Sequence, residues 1–115
     1  MDDELWLHGR SLAGVSNARA GEVDPETEFD FRQDGDRLAA RYAGGAVGAG
    51  HLPGTLDGSR WDVRYVQRNV DGEAAAGHSV GEVSRLPGGR VRVTDEWSWQ
   101  SRPGGGTSVL EEVRG

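Results

Sequence analysis

Cysteine is absent from this 115-residue chain, and so is lysine: all 13 basic residues are arginine. Without cysteine there is no disulfide, iron–sulfur cluster, thiolate zinc site or cysteine nucleophile. Without lysine there is no side chain for Schiff-base chemistry. No apolar run approaches the roughly 20 residues that a membrane-spanning helix needs. The acidic start "MDDELWLHG" lacks the positive charge of a secretory signal, so the cytoplasm is the expected location. Positive charge is scarce overall, with a formal net charge of −6, and the acids and arginines are interspersed. That leaves no basic stripe for nucleic acid. Neither a nucleic acid nor a membrane is an expected partner. The exclusive use of arginine points to a GC-rich bacterial genome.

Glycine, by contrast, is plentiful. The 19 glycines recur as punctuation: "QDGD", "AGGA", "LDGS", "VDGE", "LPGGR" and "RPGGGT". Asp-Gly and Gly-Gly between alternating segments signal hairpins, because type I′ turns need positive φ at both central residues. These signals cut the chain into strand-length pieces near 5–16, 26–33, 37–43, 46–55, 60–69, 73–86, 90–100 and 106–113. No stretch shows a helical stripe. "AGEVDPETE" (20–28) is the best candidate for a loop or one turn of helix. There is no linker and no internal repeat, and the length suits one domain.

Several segments alternate clearly. Phe29 and Phe31 oppose Glu28, Asp30 and Arg32; Leu38, Ala40 and Tyr42 oppose Arg37, Ala39 and Arg41; Trp61, Val63 and Tyr65 oppose Asp62, Arg64 and Val66. Such strands have one dry and one wet face. Eight of them joined by short hairpins make an antiparallel meander, and closing the meander removes its exposed edges. The expected fold is therefore all-β, an eight-stranded antiparallel meander closed into a calycin-like barrel, with an open β-sandwich as the alternative. Glycines 48, 50, 54, 77 and 81 fall inside strand-like segments and would mark bulges or bends. A barrel of eight strands is filled by side chains or holds one small ligand.

One strand breaks its own pattern. In "VRVTDEWSWQ" (91–100), Asp95 shares its parity with Val91, Val93, Trp97 and Trp99. An inward carboxylate is costly unless paired, and burial raises its pKa. "TSVLEEV" (107–113) offers a second acid. Val109 and Val113 pointing inward would bring Glu111; Leu110 pointing inward would bring Glu112. Two acids in one enclosed site share a proton and form a general acid/base pair. The structural alternative is an ion pair between Asp95 and an arginine such as Arg64. Tyr42 and Tyr65 could orient a ligand or the acid pair, while Trp61, Trp97 and Trp99 would form either a packed core or a stacking wall.

Other motifs read blandly. "GHSVG" (77–81) fits a nucleophile-elbow pattern around Ser79, yet that elbow needs a strand, a turn and a helix in a large α/β sheet. "RYAGGA" (41–46) fits an acetyl-CoA-binding pattern but reads as a hairpin at Gly44–Gly45. "GAGHLPG" lacks the last glycine of a dinucleotide motif, with Pro53 in its place. His8, His51 and His78 have no metal-ligand spacing, and no metal or cofactor is expected. His78 is the histidine to watch: either it or Ser79 must point inward, and parity leaves the choice open.

Taken together, "YAGG" (42–45), "GHLPG" (50–54), "RY" (64–65), "GHS" (77–79), "DEWSW" (95–99) and "SVLEE" (108–112) resemble a family of small, mostly uncharacterised bacterial proteins whose members often carry the label N-acetylglutamate synthase. The resemblance covers nearly the whole chain and implies a single small domain. It brings no established catalytic residues. Pro53 departs from it, standing where the family looks aliphatic.

The functional expectation is a barrel that binds a small organic molecule. Any chemistry would be cofactor-free acid–base work of the isomerase, cyclase or dehydratase type. Asp95 would act as acid/base, with Glu111 as second acid and Tyr42 and Tyr65 orienting. Trp61, Trp97, Trp99 and His78 would bind the ligand. The rival is a non-catalytic interaction or structural protein, a homodimer whose barrel is filled by its own aromatics.

Overall fold

The computed structural model describes residues 5–17, 22–101 and 103–113. Eight strands follow one another: β1 (Ser11–Asn17), β2 (Glu28–Asp34), β3 (Arg37–Gly44), β4 (Val47–Asp57), β5 (Arg60–Asn69), β6 (Ala74–Arg85), β7 (Val91–Trp99) and β8 (Gly105–Glu112). Each pairs antiparallel with the next, and β8 pairs with β1, so the sheet closes into a barrel. The closed meander thus replaces the open sandwich. No helix among the described residues is long and apolar enough to cross a membrane. The expected loop at 20–28 is a turn over its later part, around Pro25 and Glu26; residues 20 and 21 lie outside the described residues.

The tight hairpins differ in type from the expectation. Asp34 pairs with Arg37 and Asp57 with Arg60, which leaves two-residue loops, Gly35–Asp36 and Gly58–Ser59. Gly35 and Gly58 have φ of 63° and 62°, while no described non-glycine residue has positive φ. Positive φ at the first position alone is the pattern of a type II′ turn rather than type I′, and both twist in the sense that the strands require.

Alternation holds almost throughout. Phe29, Phe31, Leu38, Ala40, Tyr42, Leu52, Leu56, Trp61, Val63, Val83, Val91, Val93 and Leu110 are buried in one core. Residues 5–10 break from the expected first strand. Leu7 is fully buried instead, and its N–H donates to Gln33 Oε1 at 2.8 Å. Gly9, at φ 79°, turns the chain so that its N–H reaches Phe31 O at 2.9 Å. Burying a leucine gains roughly 1.5–3 kcal/mol, so this segment stoppers one barrel end rather than extending the ladder.

The in-strand glycines serve two purposes. The ladder shifts register between Val47 and Ala49, which makes Gly48 a bulge. Gly50 borders the same irregularity on the β3 side, where the register shifts between Tyr42 and Gly44, while the pairing runs unbroken past Gly54, Gly77 and Gly81. Their role is close approach: a Cβ on Gly50 would lie 2.3 Å from the Tyr42 ring, and one on Gly77 would lie 2.3 Å from the Tyr65 hydroxyl. Gly50 and Gly77 each clear a seat for a tyrosine.

Candidate functional site

At the end opposite the Leu7 stopper, the barrel holds a small cavity of about 50 Å³, bordered by inward residues of most strands and by Glu22 and Val23 from the β1–β2 connection. Asp95 lies in its floor, because β7 alternation carries it inward and Gly81 on the adjoining strand leaves it room. Among the described residues no arginine pairs with it. Two hydroxyls do: Ser79 Oγ donates to Asp95 Oδ2, and Ser108 Oγ donates to Oδ1. Trp61 Nε1 donates to Ser79 Oγ at 2.8 Å. The floor is therefore a hydrogen-bonded chain, Trp61 to Ser79 to Asp95, with Ser108 closing the other side. Burial raises the Asp95 pKa above the ordinary 3.8, opposed by the hydrogen bonds from Ser108 and Ser79.

Aromatic rings form the walls. Tyr42 lies on Phe29 with ring centroids 4.5 Å apart. Trp97 and Trp99 meet edge to face at 5.4 Å, and Tyr65 meets Trp99 the same way at 5.7 Å. Their polar tips are committed to the protein. Trp97 Nε1 donates to Asn17 Oδ1 at 2.8 Å, Tyr65 Oη donates to Ser98 O at 3.3 Å, and Tyr42 Oη donates to Gln67 Oε1 at 2.8 Å. Burial raises the Tyr42 pKa far above that of a free phenol, with the nearby Tyr65 and the Glu22 carboxylate acting in the same direction.

The mouth is polar. Gln67 Nε2 donates to Glu22 Oε1 at 2.7 Å, and Asn69 Nδ2 donates to Glu22 Oε2 at 3.0 Å. Glu22 thereby spans the opening between two amides of β5.

Among the residues proposed from sequence, the barrel brings together Asp95, Tyr42, Tyr65, Trp61, Trp97 and Trp99. It does not bring Glu111. That side chain leaves the outer face of β8 and takes hydrogen bonds from Arg92 Nε at 2.8 Å and Nη2 at 2.5 Å. Leu110 is the inward residue, so Glu111 falls on the opposite parity. Glu112 sits near the stoppered end, bound to Arg10 Nη1 at 2.6 Å and Val91 N at 3.2 Å. The acid pair is therefore not assembled. Nor does Arg64 reach Asp95; its Nη1 donates to Gln100 Oε1 at 2.9 Å on the outer face.

His78 also falls on the outside, its Nε2 2.7 Å from Asp62 Oδ1. Ser79 is the inward member of the pair, at 3 % exposure. The β6 ladder is unbroken through it, so there is no elbow at "GHSVG". Among the described residues, no three histidine or acidic side chains group as a metal site.

Sequence reasoning missed Ser108, Gln67, Asn69, Asn17 and Glu22. Three of these were within reach of simple alternation. Gln67 and Asn69 continue the parity of Trp61, Val63 and Tyr65, and Ser108 shares that of Leu110. Polarity hid them, since inward positions were sought among apolar and acidic residues. Glu22 sits in a connection, where period carries no information.

A family model described as avidin-like protein matches residues 5–113. No curated protein and no solved structure matches. The match overturns the resemblance to the family labelled N-acetylglutamate synthase. The short motifs behind that resemblance are turn glycines, tyrosine seats and inward aromatics, which a small barrel needs whatever it does.

Proposed function

The chain belongs to the avidin-like protein family, and we propose that it is a non-catalytic receptor holding one small organic molecule at the open end of the barrel. One observation carries the reading: an aromatic-walled cavity whose floor is the polar Ser79–Asp95–Ser108 cluster. Such a lining, mostly apolar with a few convergent polar atoms, is what small-ligand sites have in common. Trp97 and Trp99 supply the wall, Trp61 and Asp95 the floor, and Tyr42 and Tyr65 the sides. Glu111 and Glu112 are held by arginines away from Asp95, which favours binding over isomerase, cyclase or dehydratase chemistry.

The cavity is small. About 50 Å³ admits a few waters, whereas ligand pockets begin near roughly 300 Å³. A ligand must therefore displace part of the lining. Strand residues are held by ladders on both sides; Glu22 and Val23 are the lining residues outside the strands. Entry through them is the route with the least backbone to break.

The cavity's size also favours a second reading, a self-filled barrel acting through its surface. Ala49, His51, Val66, Ala74 and Ala76 border a shallow, largely apolar outer face on β4–β6, and Val66 is 53 % exposed. A homodimer would use that face.

Tryptophan fluorescence titrated with biotin, the ligand that the family points to, and with a panel of small neutral metabolites separates the two readings. Saturable quenching that Trp97→Phe abolishes supports the receptor. A flat response across the panel, with a concentration-dependent sedimentation coefficient, supports the self-filled dimer.

A further inference from the structure

We infer that His8 is an acid-labile rung in the seam between β1 and β2, and that protonation of its imidazole loosens the segment that stoppers the closed end of the barrel. The inference goes beyond the receptor reading and holds whether or not the barrel takes a ligand.

The seam is short. Its register pairs are Ser11 with Asp30, Leu12 with Phe29 and Ala13 with Glu28. Beyond Ser11 the ladder runs on through two backbone bonds: Phe31 N–H donates to Arg10 O at 3.0 Å, and Gly9 N–H donates to Phe31 O at 2.9 Å. The same register would next bring Gln33 N–H to the backbone carbonyl of His8. Gly9, at φ 79°, turns the chain first. The His8 side chain takes the carbonyl's place, and Gln33 N–H donates to His8 Nδ1 at 3.0 Å. The Gln33 side chain grips the neighbouring residue, since its Oε1 accepts Leu7 N–H at 2.8 Å while its Nε2 donates to Gly35 O at 3.0 Å. Consecutive stopper residues are thus clipped to one glutamine, one of them through an imidazole.

A backbone carbonyl accepts at any pH in this range. An imidazole accepts at Nδ1 only while that nitrogen is bare and the ring proton sits on Nε2; the imidazolium has two donors and no acceptor. Protonation therefore sets two N–H groups against each other where a rung had been. His8 is exposed, so a proton reaches it without any prior opening. The charged groups on the elements around it leave this logic intact. Asp34 on β2 and Asp36 in the following turn attract an imidazolium, which draws it off the Gln33 N–H rather than back onto it. Arg32 on β2 and Arg37 on β3 carry no acceptor. Arg10 is tied to Glu112 Oε1 at 2.6 Å, and Arg90 to Glu112 O at 3.3 Å. Once the rung is lost, Leu7 is held by its burial and by the Gln33 side chain.

The test is amide hydrogen exchange at Leu7, followed by NMR and corrected for the intrinsic rate at each pH. In wild type, protection should fall about five- to tenfold on going from about pH 8 to about pH 5, the range in which histidine gains its proton. His8→Asn offers an oxygen that can accept from Gln33 N–H and does not titrate, so it should keep the high-pH protection throughout. His8→Leu has no acceptor and should be as unprotected at high pH as wild type is in acid. Global unfolding cannot imitate this pattern. Asp95, with its raised pKa, favours the folded chain as pH falls, which is the opposite sign. The ring nitrogens give a readout independent of stability: at high pH the His8 ¹⁵N spectrum should show Nδ1 bare and Nε2 protonated. A proton on Nδ1 at high pH, wild-type Leu7 protection that is flat with pH, or acid loosening that persists in His8→Asn would each overturn the rung.

Discussion

Asp95 is the residue whose replacement discriminates most sharply between physical accounts. Its two oxygens take the Ser79 and Ser108 hydroxyl protons, and both serines are buried, at 3 % and 7 % exposure. Asp95→Ala leaves two buried hydroxyls without their acceptor. At about 1–3 kcal/mol for each unpaired group, the loss is about 2–6 kcal/mol, a large part of a domain's usual 5–15 kcal/mol. Asp95→Asn behaves differently. The amide oxygen can accept from one serine while its NH2 donates to the other, so the cluster stays satisfied and no charge is buried. The folded-state pKa of Asp95 lies above its ordinary 3.8, chiefly through burial. The folded chain therefore holds that proton more tightly than the unfolded chain. The stability this contributes is complete below the ordinary value and is lost as pH rises through the raised one. Urea denaturation from pH 3.5 to 8 should show Asp95→Asn gaining on wild type as pH rises, with a slope of at most about 1.4 kcal/mol per unit between those two values. Asp95→Ala should lie below Asp95→Asn throughout. A wild-type minus Asp95→Asn difference that is flat with pH, or that grows as pH rises, would refute the raised pKa and with it the desolvated floor.

Three more expectations can be checked by the same denaturation assay. Ser79→Ala should cost about 2–4 kcal/mol, because it strips partners from both Trp61 Nε1 and Asp95; His78→Ala, on the outer face, should cost under about 1 kcal/mol. Equal costs would mean that the β6 parity is wrong. Gly50→Ala should cost about 1–3 kcal/mol by pushing Tyr42 off its seat, and it should change the near-ultraviolet circular dichroism. Gly58→Ala, with nothing within 4 Å of the new Cβ but φ at 62°, should cost about 1–2 kcal/mol and leave that spectrum alone. Glu111→Gln should move stability by less than about 1 kcal/mol, since its Arg92 pair is partly exposed, and should leave tryptophan quenching by any ligand unchanged. A ligand affinity that falls with Glu111→Gln would restore the acid pair that the fold does not assemble.

What the chain's residue order settled by itself was the barrel. Period-two alternation between glycine turns sorts side chains to two faces, and an all-antiparallel meander with a dry face has few ways to hide its edges. That reasoning placed seven of the eight strands to within a few residues, and it turned Asp95 inward. It erred on the first strand because an apolar "LWL" reads the same whether it extends a sheet or stops a barrel end; only the empty end of a closed barrel gives Leu7 somewhere better to go. It went wrong on Glu111 because "VLEEV" is compatible with both parities until Leu110 is seen to face in. His78 and Ser79 could not be ordered, because neighbouring glycines loosen the register in principle; the tyrosine seats show that here they do not. The partners of Asp95 and of Glu22 were beyond any local pattern. Hydrogen bonds between Ser79 and Asp95, Ser108 and Asp95, or Gln67 and Glu22 join positions 13 to 45 residues apart. Their geometry follows from strand register and barrel closure, which are properties of the whole sheet and not of any stretch of chain.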